Sequence, residues 1–203
     1  MVTGGTRHHA ATIEKLNKVV ESRPGEIIFG LTMLVSKGRT VFVADTNVHD
    51  NPTSEQLVKI AISSTRVARL FGFDPKVAFL SHSTFGKPAT VRTKHVREAI
   101  NLMKTKEIDF DYDGEMQPDV ALNPEYKASY PFSKIVGNAN ILIMPALHSA
   151  SISVKLMKTF GGAKLIGPLL IGLGLPIEIA PLRSSSSDIL NLASIAAFSS
   201  EVI

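Results

Sequence analysis

The sequence predicts a three-layer αβα fold of the α/β class, with a largely parallel sheet between two helical layers. Two observations carry the expectation. Short β-branched runs alternate along the chain with stretches of helical spacing, and the stretches are long enough to be crossovers between parallel strands. A third observation is size: 203 residues with 44% hydrophobic content suffice to bury a sizeable core in one large or two small domains.

Taken in order, "RTVFVADTNV" (39–48) reads as a strand. The stretch "NPTSEQLVKIAISSTRVARLFG" follows with apolar residues at Leu57, Ile60, Ala61, Val67 and Leu70, which share one helical face. Thr53 with Gln56 forms a capping-box pattern, and Gly72 is a natural stop. The unit recurs as "KVAFLS" (76–81), a polar loop, and a helix around Val91 to Lys104 with Val96, Ala99, Ile100 and Met103 inward. Then come "IDFDYDG" (108–114), a region rich in helix formers, "NILIMP" (140–145), and a helix near Ile152 to Phe160 closed by Gly161 and Gly162. "AKLIGPLLIG" and "PIEIA" supply the last strands, ahead of a helix from about Ser185 to Ser199.

Composition excludes several classes of function. The chain has no cysteine, so disulfides, thiolate zinc sites and a cysteine nucleophile are out, and a reducing, cytoplasmic location is expected. The run Leu165 to Leu182 is broken by Pro168, Pro176 and Pro181 and carries Glu178, so it reads as strands joined by a turn and not as a membrane span. "MVTGGTRHHAATIEK" lacks the apolar core of a signal peptide. A net charge of +4 is spread without blocks or interleaved aromatics, which argues against nucleic acid.

Three stretches carry candidate chemistry. In "PLRSSSSDIL" (181–190), a helix beginning near Ser185 would present unpaired N–H groups to an anion, with Arg183, Ser184 and Ser185 as donors. The competing reading, favoured on these residues alone, is a capping box of Ser185 with Asp188. In "SHSTFGKP" (81–88), hydroxyls and a glycine follow a buried strand, where α/β sheets bind ligands. Asp109, Asp111, Asp113 and Gly114 copy the opening of a calcium loop, but Val120 stands where a bidentate glutamate is required. The histidines lack helical zinc spacing, so no metal site is expected.

Six blocks in order, "VFVADTNVHDNPTSEQL", "KVAFLSHSTFGKP", "YDGEMQPDVAL", "NANILIMPALHSASISVK", "IGPLLIGLGLP" and "SDILNLASIAA", resemble the phosphate acetyltransferase family over nearly the whole chain. "MVTGGTRHHA", "DGEMQPDVALNPEY" and "PALHSASIS" look most like the phosphotransacetylase-like C-terminal domain of large bacterial malic enzymes. The resemblance implies acetyl exchange between coenzyme A and phosphate, and a fold of the isocitrate and isopropylmalate dehydrogenase superfamily. It further implies that the chain is a fragment, with residues 17–170 as a second domain and 1–16 and 171–203 as parts of a discontinuous first domain.

The family reads approximately Ser-Arg-Gly-Cys-Ser before an aspartate that acts as base, its arginine gripping phosphate. Asp188 matches that aspartate, while Pro181 and Leu182 fall at the serine and arginine positions and Arg183 is displaced by one. Ser81, Ser83, Thr84 and Gly86 keep the strand-end loop, and Thr6 and Arg7 lie in the altered early segment "TGGTRHH". Loss of one electrostatic element of this kind costs ~10² to 10³ in rate.

The resemblance therefore implies an acetyl-CoA-binding regulatory and oligomerising module, at least a homodimer, with transacetylase catalysis weak or lost. Its ligands would be acetyl-CoA or CoA, with phosphate or acetyl phosphate besides. The parent malic enzyme would convert malate to pyruvate, and its NAD(P) and divalent metal (Mg or Mn) would belong to an N-terminal malic enzyme domain. No G-x-G-x-x-G fingerprint occurs here. The competing readings are an active phosphate acetyltransferase and a purely oligomerising domain.

Overall fold

The computed structural model describes residues 1–6, 9–88, 90 and 93–202, with side chains described to 199. The strands are β1 (Val2–Gly4), β2 (Phe29–Ser36), β3 (Arg39–Ala44), β4 (Lys76–Leu80), β5 (Asp111–Met116), β6 (Ile141–Ile143), β7 (Lys164–Ile171) and β8 (Glu178–Ala180). The helices are α1 (His9–Leu16), α2 (Ser54–Leu70), α3 (Lys94–Met103), α4 (Pro118–Leu122), α5 (Pro124–Lys127), α6 (Leu147–Thr159) and α7 (Ser186–Val202).

Six strands form one sheet in the order β5-β4-β6-β3-β2-β7. The pairs β5/β4, β4/β6 and β6/β3 are parallel, whereas β2 is antiparallel to both its neighbours. The fold is thus mixed α/β with a mostly parallel sheet. The reversal at β2 comes from a hairpin: Lys37 and Gly38 take φ +50° and +73° between Ser36 and its partner Arg39. That backbone matches the twist of the flanking strands.

Strand alternation sends side chains to two faces. Phe42, Ala44, Val77, Phe79, Ile141 and Ile143 pack against Leu57, Ile60 and Ala61 of α2 and Val96, Ala99 and Met103 of α3. Val43, Ala78, Leu80 and Leu142 pack against Val120 and Ala121 of α4 and Ala150 and Val154 of α6. A third cluster joins Ile13 and Leu16 of α1 to Leu170, Leu173, Ile177 and Ile179.

The two ends of the chain meet. β1 and β8 pair in parallel, Val2 opposite Glu178 and Gly4 opposite Ala180. Gly4, at φ +105°, has no room for a side chain, since a Cβ there would lie 2.5 Å from the Ala180 carbonyl oxygen. Leu192 and Ala196 of α7 are buried beside this pair.

Several boundaries move from the sequence expectation. The expected strand at 108–114 starts at Asp111, because Asp109 is outside it in an ion pair with Arg69 at 3.0 Å. The helix near Ile152 begins five residues earlier, at Leu147, and the helix-former region breaks into α4 and α5 at Asn123, before Pro124. Of the expected helix from Val91, α3 begins at Lys94, and Val91 and Arg92 lie outside the described residues. Among the described residues no helix is long and apolar enough to cross a membrane.

Candidate functional site

Two clefts open at the carboxyl ends of the strands. The larger, about 930 Å³, lies between the ends of β4 and β6 and is lined by Ser81, His82, Thr93, His95, Pro145 and His148 among others. Three histidines far apart in sequence meet there. Among the described residues, however, no group of three or more histidine, aspartate or glutamate side chains is placed to hold a metal.

Of the expected loop residues Ser81, Ser83, Thr84 and Gly86, Ser81 alone borders that cleft. Ser83 is fully buried, and its hydroxyl donates to Glu115 Oε1 at 2.6 Å while lying 3.2 Å from the Ser81 hydroxyl. Glu115 is itself buried and accepts from Arg97 Nη1 at 3.1 Å. Thr84 and Lys87 close a turn around Gly86, which sits at φ +84°. The hydroxyl-rich loop is therefore tied down internally by β5 and α3, and its serines act first as structure.

The calcium-like stretch resolves the same way. Asp111 Oδ2 accepts from the Val136 N–H at 3.2 Å and Asp113 Oδ2 from the Lys134 N–H at 2.7 Å. Both carboxylates hold the loop beside β5.

The second cleft, about 290 Å³, is bounded by α6, the start of α7, Thr32 of β2, the segment just past β3, and β7. Arg183, Ser184 and Asp188 line it, joined by Lys155 and Lys158 of α6, Asn47, Asn191, Thr32 and Thr46. A bulge in β7 shapes its floor: Gly167 and Pro168 together oppose Thr32, since Leu31 pairs with Leu169 and Met33 with Ile166. The proline falls at the bulge of an edge strand, where its missing N–H costs nothing to the ladder. Beside it, Thr32 and Thr46 share a hydroxyl bond of 2.9 Å. Asn47 also contacts the His9 ring, which burial holds below its ordinary pKa of 6.5.

At the α7 start the serine run resolves into a cap. The Asp188 carboxylate accepts from the Ser185 N–H and hydroxyl, and its own N–H returns a bond to Ser185 Oγ. These bonds, and more weakly Lys158, hold the Asp188 carboxyl below the usual aspartate range. Ser184 closes a turn onto the Pro181 carbonyl at 2.9 Å. Leu182 is half exposed and Arg183 exposed, with no ion pair for Arg183 among the described residues.

Thr6 is exposed just past β1, next in the chain to Gly5, whose N–H donates to the Ala180 carbonyl at 3.0 Å. It does not line the cleft, and Arg7 lies outside the described residues. Sequence reasoning missed Lys155 and Lys158. Their spacing of three on one helix was the available signal.

A family model described as phosphate acetyl/butaryl transferase matches residues 1–197. An NADP-dependent malic enzyme of Rhizobium meliloti is 46% identical over 98% of this chain and 26% of its own length. A phosphate acetyltransferase of Bacillus subtilis is 32% identical over 97% of this chain and 62% of its own. The structure of a phosphotransacetylase from Streptococcus pyogenes superposes with a TM-score of 0.94 at 32% identity, covering 100% of this chain and 63% of that one. A 4-hydroxythreonine-4-phosphate dehydrogenase from Klebsiella pneumoniae, at TM-score 0.56 and 14% identity over 91% of this chain and 56% of its own, shares the fold alone. The chain thus spans about a quarter of the malic enzymes and under two thirds of the phosphate acetyltransferases it matches. The matched residues take in every strand of both sheets and the start of α7, and the chain belongs to the phosphate acetyl/butaryl transferase family.

Proposed function

We propose that this chain is an acetyl-CoA-binding, regulatory and oligomerising part of a malic enzyme, with transacetylase catalysis weak or lost. The observation that carries the reading is the Ser185–Asp188 clasp. A base that takes the proton of a thiol titrating near 8.5, as cysteine does, works best when its own pKa is raised toward neutrality. Asp188 is shifted the other way, and its carboxylate is already engaged by Ser185. Leu182 offers no charge at the neighbouring position.

Binding survives where turnover does not, because the cleft keeps cations and amide donors. Regulation then requires acetyl-CoA to favour one state of the assembly over another. The oligomeric part of the proposal rests on α6, whose outer face exposes Ile152, Leu156 and Phe160 in one stripe. The division into segments 17–170 and 1–16 plus 171–203 is supported by the pairing of β1 with β8. Kinship with the isocitrate and isopropylmalate dehydrogenases belongs to the same proposal. NAD(P) and a divalent metal are assigned to a malic enzyme domain of the same parent chain, and the described residues offer no carboxylate or histidine cluster that would fit the metal.

A second reading, an active transferase, is favoured by the meeting of Arg183, Lys155, Lys158 and Asp188 in one cleft. A thermal-shift titration with acetyl-CoA, run beside a coupled assay for acetyl phosphate formation, separates the two. A shift with little turnover supports regulation. Turnover near that of a working transacetylase overturns it.

A further inference from the structure

The α7 corner is less available to an anion than its sequence promises. A helix N-terminus attracts negative charge, but here Asp188 supplies that charge from within and takes both Ser185 donors. Arg183 sits in an exposed turn with no partner to fix its direction among the described residues. Across the same cleft, Lys155 and Lys158 stand on α6, a helix anchored to the core by Ala150 and Val154. Ser151 lies one turn before Lys155 and lines the cleft on the same face.

The charges lining the cleft are Lys155, Lys158 and Arg183 against Asp188, three positive and one negative, or +2. Among the described residues neither lysine has an ion-pair partner within 4.0 Å. Asn47, Asn191 and Thr46 add neutral groups able to donate. An excess of ammonium groups on a rigid support, with hydroxyls and amides around them, suits a phosphoryl group.

We infer that Lys155 and Lys158 are the principal phosphoryl-binding residues of this chain, with Arg183 secondary. The inference rests on the proposed binding role and specifies where the ligand is held. The phosphoryl group is either inorganic phosphate or a phosphate of CoA, and the experiment distinguishes them.

Calorimetric titration of the intact protein with inorganic phosphate, acetyl phosphate and acetyl-CoA is compared among wild type, Lys155→Gln, Lys158→Gln, the double variant, and Lys164→Gln as a control outside the cleft. Both lysines are exposed, so melting temperatures should stay within the range of surface substitutions. The double variant is expected to weaken phosphoryl-ligand binding by about 10- to 100-fold, as for lost hydrogen bonds to a charged group. Weakening toward inorganic or acetyl phosphate assigns the subsite to the free anion, and weakening toward acetyl-CoA alone assigns it to the CoA phosphates. Wild-type affinity of the double variant for every probe that binds would overturn the inference while leaving the binding role intact. Failure of the wild type to bind any probe would overturn both.

Discussion

Ser185 and Asp188 clasp each other in both directions: two donors of Ser185 reach one carboxylate oxygen at 2.8 Å each, and the Asp188 N–H reaches back to the serine hydroxyl at 3.2 Å. Ser185→Ala removes one donor and the acceptor. It should cost ~1 kcal/mol of stability in urea denaturation and let the Asp188 carboxyl rise toward its ordinary pKa. The titration is readable by NMR. An unchanged midpoint would show that the cap is not holding α7.

Arg183→Ala tests the other half of that corner. Because Arg183 is exposed, its removal should leave the melting temperature in place. As the secondary contact, its loss should weaken acetyl-CoA binding by less than the roughly 10- to 100-fold expected of the double lysine variant. Calorimetry reads the change directly.

Glu178 is buried on β8 and accepts from the Leu170 N–H at 3.0 Å, and burial raises its pKa to about 8. The folded state therefore holds this proton more tightly than the unfolded chain, whose value is near 4.5. The stability tied to the group is fully present below the unfolded value and is lost as pH rises through about 8. Glu178→Gln keeps an acceptor for Leu170 and cannot ionise. Its melting temperature should exceed that of wild type at pH 8 and depend less on pH between 5 and 8, whereas parallel pH profiles would exclude Glu178 as the source.

Glu115 joins Arg97 of α3 to Ser83 of the strand-end loop. Glu115→Ala strands a buried hydroxyl and leaves a guanidinium without its counter-charge. Because the Arg97 side chain is partly exposed and keeps its bonds to Thr93 and the Thr90 carbonyl, a loss of roughly 1–3 kcal/mol is expected, as for a buried group deprived of its partner. Glu115→Gln, which retains an acceptor, should lose less, and the order of the two in denaturant is the check.

The stripe on α6 yields a fifth test. Leu156→Asp places a charge among Ile152 and Phe160 without touching Ala150 or Val154 on the inner face. Light scattering should show a dimer in wild type and a monomer in the variant at tens of micromolar. A wild-type monomer would remove oligomerisation from the proposed role.

The crossover units were legible because local chemistry and burial agree in them. Thr53 and Gln56 form the box that their spacing predicts, with bonds of 2.8 and 3.2 Å, and Val96, Ala99, Ile100 and Met103 are all buried. β2 was not anticipated although it was partly legible: Phe29, Leu31, Met33 and Val35 alternate along "FGLTMLVS", broken only by Leu34, and the Lys37-Gly38 pair marks the turn that follows. β1 is three residues long and exists through its partner 175 or so positions later in the chain, which no local pattern encodes. The site divided for a similar reason. Ser83 and Ser81 read alike in sequence, yet only the distant Glu115 turns one of them inward. Conversely, Lys155 and Lys158 look like ordinary surface lysines until β7 and α7 close a cleft in front of them.

Val154, Lys155 and Leu156 are consecutive, and they face the core, the cleft and the solvent respectively. A helix of 13 residues is a stiff rod about 20 Å long, so it cannot roll to improve one of these contacts without disturbing the other two. Pressure on the outer stripe therefore becomes torque on the cleft. In a dimer built on that stripe, ligand affinity and subunit affinity would be linked quantities, each measurable by varying the other: with one site per subunit, saturating ligand should tighten the dimer by the square of the factor by which dilution to monomer loosens each site.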